Sequence, residues 1–427
     1  MEKISQSAVS ANGGATLRIA ILFQRFGPYH HARLNAAGRV FAVWGVEACA
    51  EEDTYAWAKV DGAAAFTRVT LSDRNTGDRQ WKQALHRKMW LALDQIKPQA
   101  VVIPGWASTD AFSALAWCVA NQIPAVVMSE STAWDERRLS WKEWLKGQLV
   151  KLSSAGLAGG TPHADYLVQL GLPRERISLG YDVVDNDYFG PAAAAVRSQQ
   201  LEVRSKYNLP EKYFLASARF VEKKNLFRLI QAYAEYRKNA ETLKTEKRKA
   251  ESGKRQAEIW DLVLLGDGEL RSSLESQIAS LGLQDCIHLP GFKQYDELPA
   301  YFGLARVFVH ASTTEQWGLV VNEAMASGLP VLVSKRCGCA TDLVAEGVNG
   351  FTFDPGNVEE LAQLLRRVAD PEFPLADFGA ASTRIIADWG PERFAAGLHE
   401  AVTTALKNPR PCAGAWDRVL LQLLLWW

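Results

Sequence analysis

The run Val307-Phe308-Val309-His310-Ala311-Ser312-Thr313-Thr314-Glu315-Gln316-Trp317-Gly318-Leu319-Val320-Val321-Asn322-Glu323-Ala324-Met325-Ala326 decides the fold. Val307 to His310 reads as a buried strand, and Leu319 to Ala326 carries apolar residues at helical spacing, so the order is strand, loop, helix. Gly318 marks the turn into the helix. Glu315 precedes it and Glu323 lies inside it, roughly 6 Å along the axis from Leu319 at about 1.5 Å per residue. Between the two carboxylates sits a helix N-terminus, whose N–H groups and partial positive charge suit a phosphate. Carboxylates accept hydrogen bonds from hydroxyls. A phosphate flanked by hydroxyl-bearing rings fits all three features, as do two ordinary helix-surface glutamates, and the rest of the chain has to separate the readings.

Working outward, the 427 residues exceed one ordinary core and predict two domains. Apolar content of 48% and charged content of 22% are those of a soluble globular chain. Lys plus Arg and Asp plus Glu each total 48, so no electrostatic footprint points to nucleic acid. The cysteines, Cys49, Cys118, Cys286, Cys337, Cys339 and Cys412, are scattered and read as free thiols of a reducing compartment. Cys337-Gly338-Cys339 has no second Cys/His pair at ligand spacing. Residues 1–15 read as a polar, disordered tail, and no apolar run reaches the roughly 20 residues of a spanning helix.

From the N-terminus, Leu17 to Phe23 reads as a strand, followed by a loop with Gly27, Pro28, His30 and His31 and a helical stretch from Ala32. Strands at Val40 to Val46, Ala65 to Leu71, Ala100 to Ile103, Ala125 to Met128 and Ala155 to Ala158 alternate with helical patterns. Such alternation predicts a parallel sheet covered on both faces, with ligands at the carboxyl ends of its strands. The loops after Phe23, Ile103 and Met128, with Gly27, His30, His31, Gly105, Trp106, Ser129 and Glu130, belong there. Residues 191–200 read as a linker or short connecting helix. The pattern then restarts with strands at Tyr213 to Ala218, Asp261 to Leu265, Ile287 to Leu289, Val307 to Val309 and Val331 to Ser334.

Arg219 and Lys224 follow one of these strands, where two cations can clamp a diphosphate. Gly266-Asp267-Gly268 and Pro290-Gly291-Phe292 follow two others, and Gly291 can offer a backbone amide to a base edge. Asp185-Asn186-Asp187 matches an Asp-x-Asp metal pattern but follows no strand in the expected crevice. The stretch Arg237 to Arg255 mixes eight Lys or Arg with Glu and reads as a solvated helical insertion. Trp134, Trp141 and Trp144 stand among Arg137, Arg138, Lys142, Lys146 and Lys151. That composition fits a helix at a lipid surface or a domain helix with buried Trp. The last eight residues, 420–427, are apolar but too short to span a bilayer.

Taken together, Arg219 with Lys224, Leu264-Leu265-Gly266-Asp267-Gly268, Leu289-Pro290-Gly291-Phe292, Glu315 with Glu323, and Asn349-Gly350-Phe351 closely resemble the C-terminal half of family 4 retaining glycosyltransferases of the GT-B type. Gly159 to Phe189 resembles the same family. The resemblance implies an α/β chain of two doubly wound Rossmann-like domains facing across a cleft: residues 16–190 on the acceptor side, 191–390 on the donor side, and 391–427 as a C-terminal helix packing back toward the first domain, plus the apolar tail. It implies transfer of a sugar from a UDP- or GDP-linked donor to a hydroxyl on a saccharide or lipid-linked acceptor, without metal or other cofactor, in cell-surface polysaccharide or glycolipid synthesis. Carried over residue by residue, Glu315, Arg219 and Lys224 are the catalytic set. Glu323, Gly318, Leu319, Gly291, Phe292 and Gly266 bind the donor, and Gly27, His30, His31 and Glu130 serve the acceptor side. Relatives often have two glycines where this chain has Gly27-Pro28, a histidine where it has Ser129-Glu130, and Gly-Phe where it has Gln316-Trp317. Gln316 and Trp317 are therefore expected to shape sugar preference. The reading places the chain in the cytoplasm, with the Trp/Lys helix and apolar tail as candidate contacts to the inner face of the plasma membrane. An epimerase or phosphorylase of the same shape and a non-catalytic binding protein are the alternatives.

Overall fold

The structure is a computed structural model that describes residues 16–51, 64–249, 259–408 and 413–426, with the side chains of 240–249 and 426 outside that description. The expected N-terminal tail, Cys412 and the far end of the charged stretch 237–255 thus lie outside the described residues. The chain divides into two compact units.

The first unit holds β1 (Arg18–Phe23), α1 (Pro28–Gly38), β2 (Ala42–Glu47), β3 (Thr67–Thr70), α2 (Arg79–Ile96), β4 (Ala100–Pro104), α3 (Thr109–Asn121), β5 (Ala125–Ser129), α4 (Ser140–Val150), β6 (Ala155–Ala158), α5 (Thr161–Gln169) and β7 (Ile177–Leu179). Its seven strands pair in parallel in the order β3-β2-β1-β4-β5-β6-β7. Helices cover both faces, which is why the central strands are continuous apolar runs rather than alternating ones. Ile19, Ala20, Ile21 and Leu22 all have no exposed surface.

The second unit holds α6 (Asn186–Ser198), α7 (Gln200–Tyr207), β8 (Tyr213–Ser217), α8 (Leu226–Lys249), β9 (Asp261–Leu265), α9 (Arg271–Ser280), β10 (Ile287–Gly291), α10 (Leu298–Leu304), β11 (Val307–His310), α11 (Leu319–Ala326), β12 (Val331–Ser334), α12 (Ala340–Leu343), β13 (Gly350–Phe353), α13 (Val358–Val368) and α14 (Leu375–Ala387). Its sheet, again all parallel, runs β10-β9-β8-β11-β12-β13. The chain then returns to the first unit as α15 (Pro391–Lys407) and α16 (Ala415–Trp426). Phe394, Leu398 and Val402 of α15 join the apolar cluster of α1, and Leu421 and Leu425 of α16 join that of α2 and α3. The fold is the doubly wound α/β class that the alternating pattern predicts.

Residues 191–200, read as a linker or a short connecting helix, are helical: α6 runs through Pro191 as far as Ser198, and α7 begins at Gln200. Proline forfeits one helix bond. The Asp185 side chain accepts from the Tyr188 N–H at 3.1 Å, Phe189 and Ala193 are buried four residues apart, and the Ala-rich run favours helix. Of Asp185-Asn186-Asp187, Asp185 thus works as the cap of α6. Among the described residues no three His, Cys, Asp or Glu side chains are grouped to hold a metal ion. No described helix is long and apolar enough to cross a membrane.

Candidate functional site

In the second sheet the chain builds outward from β8 through β9 to β10, then returns to the other side of β8 as β11. The carboxyl ends of β8 and β11 therefore flank the point where the winding reverses, where open α/β sheets bind ligands. Backbone bonds tie the loops there together. The Phe220 N–H donates to Asp267 O at 2.8 Å, that of Gly266 to Gly291 O at 3.1 Å, and that of Thr313 to Lys223 O at 2.9 Å. Asn225, at φ 59°, donates from Nδ2 to Ala311 O at 3.0 Å and Pro355 O at 2.8 Å. One buried amide thus joins the loops after β8, β11 and β13.

Across this reversal point Lys224 Nζ pairs with Glu315 Oε2. The same oxygen accepts from Ser312 Oγ at 3.2 Å and lies 3.4 Å from His310 Nε2. These contacts converge on Oε2. Burial by itself would raise the Glu315 carboxyl, but the hydrogen bond from His310 and the Lys224 charge outweigh it and hold it well below the usual carboxylate range. His310 is buried and shifts downward, first by desolvation and further by the Lys224 charge, against the opposing hydrogen bond to Glu315. The arrangement presents a permanently ionised acceptor beside a cation. His310, Ser312 and Asn225 escaped the sequence reading. Their signal was two polar residues closing an apolar strand, and an Asn at a strand-to-helix turn.

Gly318 caps α11 at φ 105°, a left-handed conformation that favours glycine. The loop before it is zipped to residues 336–339: the Glu315 N–H donates to Arg336 O, that of Gly338 to Glu315 O and that of Cys339 to Trp317 O, at 3.1 to 3.2 Å. Leu319 opens the helix, where first-turn amides have no intrahelical partner. Glu323 is buried in α11. Burial raises the Tyr295 phenol and the Glu323 charge raises it further, which places the two near each other. Tyr295 stacks on Tyr188 at 4.6 Å.

Trp317 is a correction. Its side chain is 1% exposed, packs on Trp389 at 5.1 Å between centroids, and donates from Nε1 to Asn322 Oδ1 at 2.8 Å. It anchors the loop from inside and is not a pocket wall. Arg219 follows β8 on the same loop as Lys224. Gly266 follows β9 at φ 131°, and a Cβ there would stand 1.9 Å from Ala218 O. Gly291 ends β10, and Phe292 beyond it is exposed.

The residues expected on the acceptor side lie in the first unit. Gly27 is the N-cap of α1, and its N–H donates to His30 Nδ1 at 3.1 Å. His30 packs on Phe23 with centroids 4.4 Å apart, and burial followed by the Arg33 and Arg25 charges lowers its pKa to about 3. It is a neutral helix-capping group. His31 Nδ1 lies 3.1 Å from Asn35 Nδ2 and is shifted down by burial and Arg68. Glu130 acts on the buried Asp182, whose carboxyl is raised first by desolvation, then by Glu130, against the opposing Arg33 at 3.5 Å.

Residues 199–383 match the family model described as glycosyl transferases group 1. The amylovoran biosynthesis glycosyltransferase AmsK of Erwinia amylovora is 28% identical over 212 residues, 48% of this chain and 45% of that protein. The 2-deoxystreptamine glucosyltransferase of Streptomyces kanamyceticus is 28% identical over 243 residues, 56% of each. The chain thus spans about half the length of the curated relatives it matches. Among solved structures, that of Anabaena HepE in complex with UDP and glucose superposes with a TM-score of 0.66 at 19% identity, covering 91% of this chain and 99% of that one. At that identity the likeness is one of fold, the two-unit GT-B type.

Proposed function

We propose, for a chain whose residues 199–383 match the glycosyl transferases group 1 family, that it is a retaining, metal-independent glycosyltransferase. It moves a sugar from a UDP- or GDP-linked donor to a hydroxyl on a saccharide or lipid-linked acceptor in surface polysaccharide or glycolipid synthesis. The observation that carries this reading is the Lys224–Glu315 pair at the reversal point of the second sheet, one turn before the Gly318-capped α11. A diphosphate seated there meets Arg219, Lys224 and the first amides of α11. The Glu315 carboxylate accepts from donor-sugar hydroxyls, and Glu323 serves the ribose.

In the step itself, the bond from the anomeric carbon to the donor phosphate oxygen breaks and the acceptor oxygen bonds on the same face. The acceptor proton passes to the leaving phosphate. The protein supplies position and leaving-group stabilisation and needs no strong base. Gln316, the remaining side chain of the Glu315 loop, is the candidate determinant of sugar preference. In the first unit, Gly27, His31 and Glu130 are the acceptor-side candidates, and His30 orients their loop.

Product analysis tests the proposal. Incubation with UDP- and GDP-sugars and candidate acceptors is expected to release nucleoside diphosphate and extend the acceptor with retained anomeric configuration. Recovery of an epimerised nucleotide sugar, or release that stays at background with every acceptor, contradicts it.

A further inference from the structure

Of the Trp/Lys stretch, Trp134 belongs to the second unit, its Nε1–H donating to Arg336 O at 3.4 Å, whereas α4 belongs to the first. In the structure α4 turns both of its tryptophans outward: Trp141 is 56% and Trp144 54% exposed, three residues apart on one helix face, and the exposed Leu139 precedes them. Lys142 lies over the Trp141 ring at 5.6 Å. The one acid of α4, Glu143, is already engaged, accepting from Tyr166 Oη at 2.6 Å and from Lys146 Nζ at 3.0 Å. Lys142 and the C-cap residue Lys151 are exposed cations of the same helix.

Beside the tryptophans opens a cavity of about 450 Å³ between α4 and α5, lined among others by Arg138, Glu143, Trp144, Lys151 and Tyr166, with Glu143 Oε1 3.6 Å from Arg138 Nη1 and Lys151 as its further cation. Arg138 stacks over Tyr166 at 4.3 Å, which fixes its charge at the wall. A second helix repeats the theme. α16 buries Leu421 and Leu425 in the apolar cluster that also receives Leu149 and Leu152 beside α4. It leaves Trp416 58% and Leu423 61% exposed.

We propose that α4, with α16 on the same side of the first sheet, docks the protein on an anionic bilayer surface, with Trp141 and Trp144 in the headgroup region and the recess at Arg138 and Lys151 receiving a lipid phosphate. Exposed tryptophan flanked by lysine is the composition of an interfacial helix, whereas the cores of protein interfaces are depleted of lysine. Each cation near an anionic leaflet strengthens binding by about fivefold, and that part is screened by salt.

The test is flotation of the full chain with vesicles of phosphatidylcholine alone and of phosphatidylcholine mixed with phosphatidylglycerol. The wild type is expected to float with the mixed vesicles and to be released by raised salt. Trp141→Ala/Trp144→Ala and, separately, Lys142→Glu/Lys151→Glu are expected to float at least tenfold less. All four side chains are outside the nucleotide site, so nucleoside diphosphate binding should be unchanged in both variants, and loss of docking is separable from failure of the transferase reading. Wild-type protein that stays with neither vesicle, or tryptophan variants that float as well as wild type, overturns the proposal. So does a dimer in sedimentation that the tryptophan variants dissociate while the wild type fails to float, because the occupant is then a second copy.

Discussion

Lys224 Nζ and Glu315 Oε2, 91 residues apart in sequence, form an ion pair at the reversal point of the second sheet, with Ser312 donating to the same oxygen and His310 beside it. The pair is largely buried, so each charge depends on the other. Replacing Lys224 by Met leaves the carboxylate with fewer donors and is expected to cost about 1 to 3 kcal/mol. Adding Glu315→Gln should recover part of the loss, giving a coupling of about 0.5 to 3 kcal/mol in a double-mutant cycle from urea unfolding. Additive losses would show that the two side chains do not act on one another.

Kinetics should divide the site by role. Charge-assisted bonds contribute about 1.5 to 3 kcal/mol, so Arg219→Ala and Lys224→Ala are expected to lower kcat by roughly 10- to 150-fold. Glu323→Ala should mainly raise the KM for donor. Wild-type constants for all three in steady-state assays would remove the donor site from these residues.

Two glycines of the same crevice predict an ordering. At Gly318 an added methyl meets nothing closer than 3.5 Å, so Gly318→Ala carries only the left-handed backbone penalty of about 1 to 2 kcal/mol. That is a drop in Tm of roughly 2 to 8 °C. At Gly266 the methyl would stand 1.9 Å from Ala218 O as well, so Gly266→Ala should cost about 3 kcal/mol or more. Differential scanning calorimetry giving the reverse order contradicts the described loop geometry.

The part of this crevice that local pattern could reveal was legible. Leu319 to Ala326 reads as a helix and is α11, and Gly318 reads as its turn and adopts the positive φ, because apolar spacing and glycine are local signals. Side-chain direction was not local. Trp317 looked like a pocket residue, yet the backbone bond from Cys339 and the packing on Trp389 turn it into the core. His310 and Ser312 gain meaning only when β11 is set beside β8 and Lys224 arrives from a distant loop. For residues 191–200 local pattern left linker and short helix open, and burial of Phe189 and Ala193 decides for the helix despite the bond lost at Pro191. Strands as short as β7 show too few residues for any period to be read.

Acid stability tests the first unit. An imidazole in the unfolded chain takes a proton below about 6.5, whereas folded His30 takes one only near 3, so between those values the unfolded state binds more protons. This contribution is fully present above pH 6.5 and is lost as pH falls toward 3, with a slope of up to about 1.4 kcal/mol per pH unit. His310, also lowered, adds a slope of the same sign. Urea midpoints compared at several pH values should fall less steeply for His30→Gln, whose side chain can still accept from the Gly27 N–H. Equal slopes for variant and wild type contradict a neutral His30.

The central claim is that the crevice of Arg219, Lys224, Glu315 and α11 is a nucleoside diphosphate site, and calorimetric titration of UDP and GDP into the full-length protein tests it most directly. The account predicts saturable, one-site binding of one of them without added metal, weakened at least tenfold in Lys224→Ala and in Arg219→Ala. Absence of binding to the folded wild type, or equal affinity in both variants, would contradict it.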